Sequence, residues 1–116
     1  MNKEFAHKFS LEWVAAWNSH NLGEIMAHYA DGFEMNSPVI RQIMNEPSGI
    51  LKGKNNVRNY WEKALKMNSN LHFEIEKVYS GVNSVIIQYK GHRVSSAEMF
   101  FFNEEGKVIS AYAHYE

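Results

Sequence analysis

The segment SSAEMFFFNEEGK sets one carboxylate, Glu98, directly before Met99, Phe100, Phe101 and Phe102. In a strand, successive side chains point to opposite faces. Glu98, Phe100 and Phe102 then share one face, and Ala97, Met99 and Phe101 take the other. A carboxylate on an apolar face pays for its desolvation by holding its proton more tightly. Such a group is suited to act as a general acid or as a hydrogen-bond donor, chemistry that needs no cofactor. The competing reading is a buried glutamate held in a structural network by Arg41, Trp13 or a tyrosine such as Tyr115.

Ser37 lies on the apolar side of a short strand, FEMNSP, and is a candidate hydrogen-bonding partner for a ligand, or simply turn chemistry before Pro38. No histidine–acid arrangement marks it as a nucleophile. Arg41 follows in an apolar loop. It is suited to clamping a carboxylate or phosphate, or else is an exposed loop cation. The six histidines, at 7, 20, 28, 72, 92 and 114, show no metal-ligand spacing, and there is no cysteine. No metal and no cofactor is expected.

The elements that must position these groups are legible from periodicity. Phe5, Phe9, Trp13, Ala16 and Trp17 form one helical stripe, which NSHN interrupts. Asn21 and Glu24 then resemble a capping box, opening a short helix whose apolar face is Leu22, Ile25, Met26 and Tyr29. Residues 38–49 read as an irregular loop. Val57, Tyr60, Trp61, Ala64 and Leu65 mark a third helix. LHFEIEKVY, VIIQYKG, HRVSSAEMFFFN and VISAYAHYE read as four strands joined by turns. Helices segregated from a mostly antiparallel meander predict an α+β fold.

Residues 1–116 are expected to form one domain. With 45% hydrophobic and 22% charged residues, a net charge of −1 and no basic run, the chain lacks the electrostatic footprint of a nucleic-acid binder. MNKEFAHKFSLEWVAAW has no apolar run of signal or membrane-spanning length. The absence of cysteine fits a reducing compartment. A cytoplasmic protein with no membrane partner is the expectation.

WNSHNLGEIMAHYADGF, then SP, LKGKNNVRNYW, LHFEIEKV and EMFFFNEEGKVISAYAHY resemble, in order and spacing, the SnoaL-like branch of the nuclear transport factor 2-like superfamily. No single piece is diagnostic; the ordered set, across nearly the whole chain, carries the resemblance. It implies a curved sheet, a cone, wrapped by three helices around a pocket, and commonly a homodimer packed through the outer sheet face. Relatives include ketosteroid isomerase, polyketide cyclases, dehydratases, epoxide hydrolases and proteins that only bind. Aligned on YAD and F-x-E-x-G, the isomerase's oxyanion-binding acid falls on Glu98. Its base falls on Ser37 and its oxyanion-binding tyrosine on Trp13. Serine cannot serve as that base and tryptophan offers only an indole N–H, so the isomerase mechanism is not implied.

The resulting expectation is an apolar pocket for a small hydrophobic or ring-bearing molecule, with Glu98 as its acid–base group. Trp13, Trp17, Ser37, Arg41, Trp61, Phe100 and Tyr115 would contact the ligand. Isomerase, cyclase or lyase chemistry would fit. The alternatives are a binding protein without chemistry and a dimeric interaction module. Ile86, Met99, Phe101, Tyr112 and His114 form a second apolar surface, for which self-association is the simplest cover.

Overall fold

The computed structural model describes residues 2–91 and 94–116; His92, one of the six histidines considered above, lies outside them. Helix α1 (Lys3–Ser19) begins where the Asn2 side chain accepts the Phe5 N–H at 2.8 Å. It ends at His20, whose φ of 60° closes the last turn through a bond to the Trp17 carbonyl. Ala6, Phe9, Trp13, Ala16 and Trp17 form its buried face. Asn21 caps α2 (Leu22–Met26) by accepting the Glu24 N–H at 3.0 Å. The box is not closed directly: Ser19 Oγ accepts the Asn21 N–H and donates to Glu24 Oε2.

Tyr29, assigned above to the apolar face of this helix, instead opens β1 (Tyr29–Asn36) and is 2% exposed. One and a half turns exhaust α2, and pairing of Tyr29 with Val108 then captures the chain as strand. A second correction concerns residues 38–49. Pro38–Ile43 is a helix, α3, with Ser37 Oγ accepting the Val39 N–H at 3.2 Å and Pro38 in its first turn. The Ser-Pro pair that stops the strand also starts a helix, because proline there forfeits only an N–H that has no helical partner. The segment returns through Gly49 into β2 (Ile50–Lys52), which was not foreseen, and then α4 (Lys54–Met67).

Four strands follow: β3 (Glu74–Ser80), β4 (Ser84–Lys90), β5 (Ser95–Phe102) and β6 (Val108–Tyr115). Among the described residues the sheet has six strands in the order β2-β1-β6-β5-β4-β3, antiparallel throughout except for the parallel β1–β6 pair. The α+β architecture is as expected, with an open, curved sheet and four helices rather than three. Strand alternation turns Val85, Ile87 and Tyr89 of β4, Glu98 and Phe100 of β5, and Ala111 and Ala113 of β6 toward the helices. No helix of the described residues is long and apolar enough to cross a membrane.

Gly49 ties the α3 segment to β1. Its carbonyl accepts the Ser37 N–H at 2.9 Å and its φ is +72°. A Cβ there would lie 3.1 Å from the Ser37 carbonyl oxygen and 3.2 Å from Arg41 Nε. Gly49→Ala is therefore expected to cost about 1–2 kcal/mol from the left-handed backbone alone. Urea denaturation checks this, and an unchanged midpoint would show that α3 shifts freely.

Candidate functional site

The central group is Glu98, which β5 carries into the middle of the inner sheet face, opposite Ile87 of β4 and Ala113 of β6. It is 5% exposed. Tyr89 stands two residues along β4 on the same face, and its hydroxyl donates to Glu98 Oε1 at 3.2 Å. Oε2 has no hydrogen-bonding partner on the protein among the described residues. Burial pushes the carboxyl up to about 7, against the opposing pull of the Tyr89 hydroxyl. Burial thus shifts it toward the protonated form near neutral pH.

Tyrosines surround it. Tyr29 lies deepest; burial first, and then the Glu98 charge, hold its hydroxyl well above the usual phenol range. Trp13 Nε1 donates to the Tyr29 hydroxyl at 3.3 Å, so the indole N–H is spent within the protein. Trp17 Nε1 is buried near the same hydroxyl but outside hydrogen-bonding geometry. Burial likewise raises Tyr60, Tyr89 and Tyr115, and the charge of Glu98 adds to each. All four phenols stay neutral at any physiological pH.

Glu98 borders a cavity of about 490 Å³, the size of a site for a small organic molecule. Helix α1 supplies Trp13 and Trp17, α4 supplies Tyr60, Trp61 and Met67, and α3 supplies Val39 and Ile43. Phe73 stacks on Trp13 with ring centres 5.6 Å apart, and Trp61 meets Trp17 edge-on at 5.1 Å. Residues 68–71 form a rim bearing Asn68, Ser69 and Asn70. That rim is tied to the end of α1. Asn18 exchanges two hydrogen bonds with the Phe73 backbone, at 2.7 and 3.0 Å, and His20 Nε2 lies 2.7 Å from the Leu71 carbonyl oxygen.

Of the residues singled out from sequence, Trp13, Trp17, Trp61, Glu98 and Tyr115 meet at this cavity. Three do not line it. Phe100 is fully buried, packed edge-on between Phe9 and Trp13 at 5.0 and 5.6 Å. Ser37 spends its hydroxyl on the α3 cap and on a 3.5 Å contact with the Tyr115 hydroxyl. Arg41 is exposed on α3 and borders, with Ser37, Tyr112 and His114, a separate hollow of about 300 Å³. It is not the partner of Glu98; that role falls to Tyr89.

Tyr89 and the polar rim were not found from sequence. Alternation in SVIIQYK does put Tyr89 on the inner face, but its approach to Glu98 depends on the register between β4 and β5. Among the described residues no group of three histidine, aspartate or glutamate side chains is placed to hold a metal ion.

A family model described as a SnoaL-like domain matches residues 11–116. A SnoaL-like protein of unknown function from Burkholderia thailandensis E264 is 49% identical, with 99% of this chain and 97% of that one covered and a TM-score of 0.96. An NTF2-like protein of unknown function from Cytophaga hutchinsonii is 16% identical over 96% and 89% of the two chains, with a TM-score of 0.73. SalBIII, described as an epoxide hydrolase/cyclase-like enzyme in pyran ring formation in the polyether salinomycin, is 13% identical over 99% and 93%, with a TM-score of 0.80. The last two likenesses concern the fold alone. No curated protein sequence matches the chain.

Proposed function

The chain belongs to the SnoaL-like domain family, and on that premise we propose that its cavity binds a small hydrophobic, ring-bearing molecule with Glu98 as the polar anchor. The observation that carries this reading is a lone carboxyl, poised near neutrality, on the wall of an aromatic cavity. Flat indole and phenol faces suit a ring, and Oε2 is left for the ligand's polar group. We further propose cofactor-free proton transfer of the isomerase, cyclase or lyase type. The ionised carboxylate takes a proton from one ligand atom, and the resulting acid returns it to another. A group titrating close to the working pH serves both halves of such a shuttle. SalBIII, named for cyclase-like chemistry in pyran ring formation, offers a precedent on a similar fold.

A second reading, binding without chemistry, draws on one specific observation. By the family resemblance, the isomerase's base and oxyanion-binding tyrosine correspond to Ser37 and Trp13 here. Their polar atoms are engaged within the protein, in the α3 cap and with Tyr29. Turnover in the parent that Glu98→Gln abolishes identifies an enzyme. Loss of affinity with no turnover in the parent identifies a binder.

The homodimer belongs to the same proposal. Cross-strand register puts Ile86, Met99, Phe101, Tyr112 and His114 on the sheet face away from the helices. Tyr79 joins them at 49% exposure through its pairing with Ile86. Covering such a surface with a second copy removes apolar area from water. A cysteine-free composition accords with a cytoplasmic setting. Native mass spectrometry of gently purified protein is expected to give a dimer carrying a ring-bearing molecule, identified from the denatured fraction. A monomer at micromolar concentration would refute the dimer, and full affinity of the identified molecule for Glu98→Gln would refute the anchor.

A further inference from the structure

The polar groups around the cavity are one-sided in charge. Its lining, among the described residues, includes Glu98 but no lysine, arginine or histidine. Among the described residues, the hydroxyls of Tyr29, Tyr60, Tyr89 and Tyr115, from β1, α4, β4 and β6, are the other titratable groups facing the carboxyl. All are neutral and none supplies a positive charge. The two buried indole donors are not offered to a ligand: Trp13 Nε1 serves Tyr29, and Trp17 Nε1 is buried. What faces a ligand is a carboxylate oxygen, ring faces carrying negative quadrupole density, and the amide and hydroxyl groups of Asn68, Ser69 and Asn70, which can donate or accept.

An anion placed beside the ionised Glu98 would meet repulsion, and the lining, among the described residues, holds no cation to offset it. A positively charged group would gain twice, from the unpaired Oε2 and from the faces of Trp13, Trp61 and their neighbours. It would also neutralise a carboxylate that burial otherwise disfavours. We propose that the cavity selects a ring-bearing amine in its ammonium form, the cationic nitrogen held between Glu98 Oε2 and the aromatic walls. This rests on the binding reading above and narrows its ligand class.

Three probes sharing a benzyl group separate the alternatives: benzyltrimethylammonium, benzyl methyl ether and phenylacetate. Each is titrated against the intact protein by quenching of tryptophan fluorescence, since all three tryptophans line the cavity. The ammonium probe is expected to bind at least tenfold more tightly than the ether at pH 8, and phenylacetate not at all. As a carboxyl with a pKa of about 7 ionises between pH 6 and 8, affinity for the cation rises about tenfold. Glu98→Gln removes that rise, while residual pH dependence in the variant reports groups elsewhere. Equal or tighter binding of the ether, or cation affinity independent of pH, overturns the ammonium proposal and leaves the ring-binding reading standing. If no probe quenches, both fail.

Discussion

Glu98→Gln stabilises the protein at alkaline pH. In the unfolded chain the carboxyl titrates at its ordinary value of 4.5, and in the folded protein at about 7. Below pH 4.5 both states hold the proton, and the group contributes nothing to stability. Between 4.5 and 7 the unfolded state releases its proton first, so stability falls as pH rises. Above pH 7 the penalty is complete, at about 3 kcal/mol. Glutamine keeps the shape and an acceptor for the Tyr89 hydroxyl but never ionises. Urea denaturation should therefore find variant and parent alike at pH 4, and the variant more stable by up to about 3 kcal/mol at pH 8.5. Equal stability at both pH values would mean that the carboxyl is solvated in the folded protein. The same substitution removes the charge on which binding and proton transfer are proposed to rest. Should Glu98 both weaken the fold and sustain binding, it would show the stability–function trade-off expected of the proposed site.

Trp13→Ala has the largest expected cost to folding. The indole is 2% exposed, stacks on Phe73, and meets Tyr89 and Phe100 at ring-centre distances of 5.0 and 5.6 Å. Its N–H holds the Tyr29 hydroxyl at 3.3 Å. Emptying that volume should cost about 3–5 kcal/mol, enough to unfold a domain of modest stability. Trp13→Phe isolates the polar part: it keeps most of the ring packing but leaves the buried hydroxyl without its donor, at about 1–3 kcal/mol. Urea midpoints order the three proteins as parent, Trp13→Phe, Trp13→Ala. Near-parental stability of Trp13→Ala would show that the helix α1 wall is not packed as described.

Much of this arrangement is legible in the chain before any coordinates. Long helices announce themselves by spacing: α1 buries Phe9, Trp13, Ala16 and Trp17 of its marked stripe, and α4 buries Val57, Tyr60 and Trp61. Alternation puts Glu98 on one apolar face of its strand and Tyr115 with Ala111 and Ala113 on one face of the next, and the pairing of Glu98 with Ala113 makes these one face of the sheet. The failures have local physical causes. Ser37-Pro38 carries two meanings, strand stop and helix cap, and the chain uses both. Tyr29 continues the helical spacing of α2, yet pairing with Val108 claims it for the sheet. Arg41 follows the strand closely, but α3 carries its side chain to a different hollow. The Tyr89–Glu98 bond depends on hairpin register, which spacing along one strand does not encode. Phe100 shares a face with Glu98 but lies deeper, under Trp13 and Phe9, a distinction of depth to which a period of two is blind.

The most direct test is a pH titration of the Glu98 side-chain carboxyl carbon by NMR, in protein labelled with carbon-13 at glutamate, using Glu98→Gln to assign the resonance. The account predicts a midpoint near 7, far from the ordinary carboxylate range. It further predicts that the benzyltrimethylammonium probe moves this midpoint downward as the cation stabilises the charge. A midpoint near 4.5 that no probe disturbs would contradict it, leaving Glu98 as a solvated carboxylate with neither a proton to exchange nor a ligand to anchor.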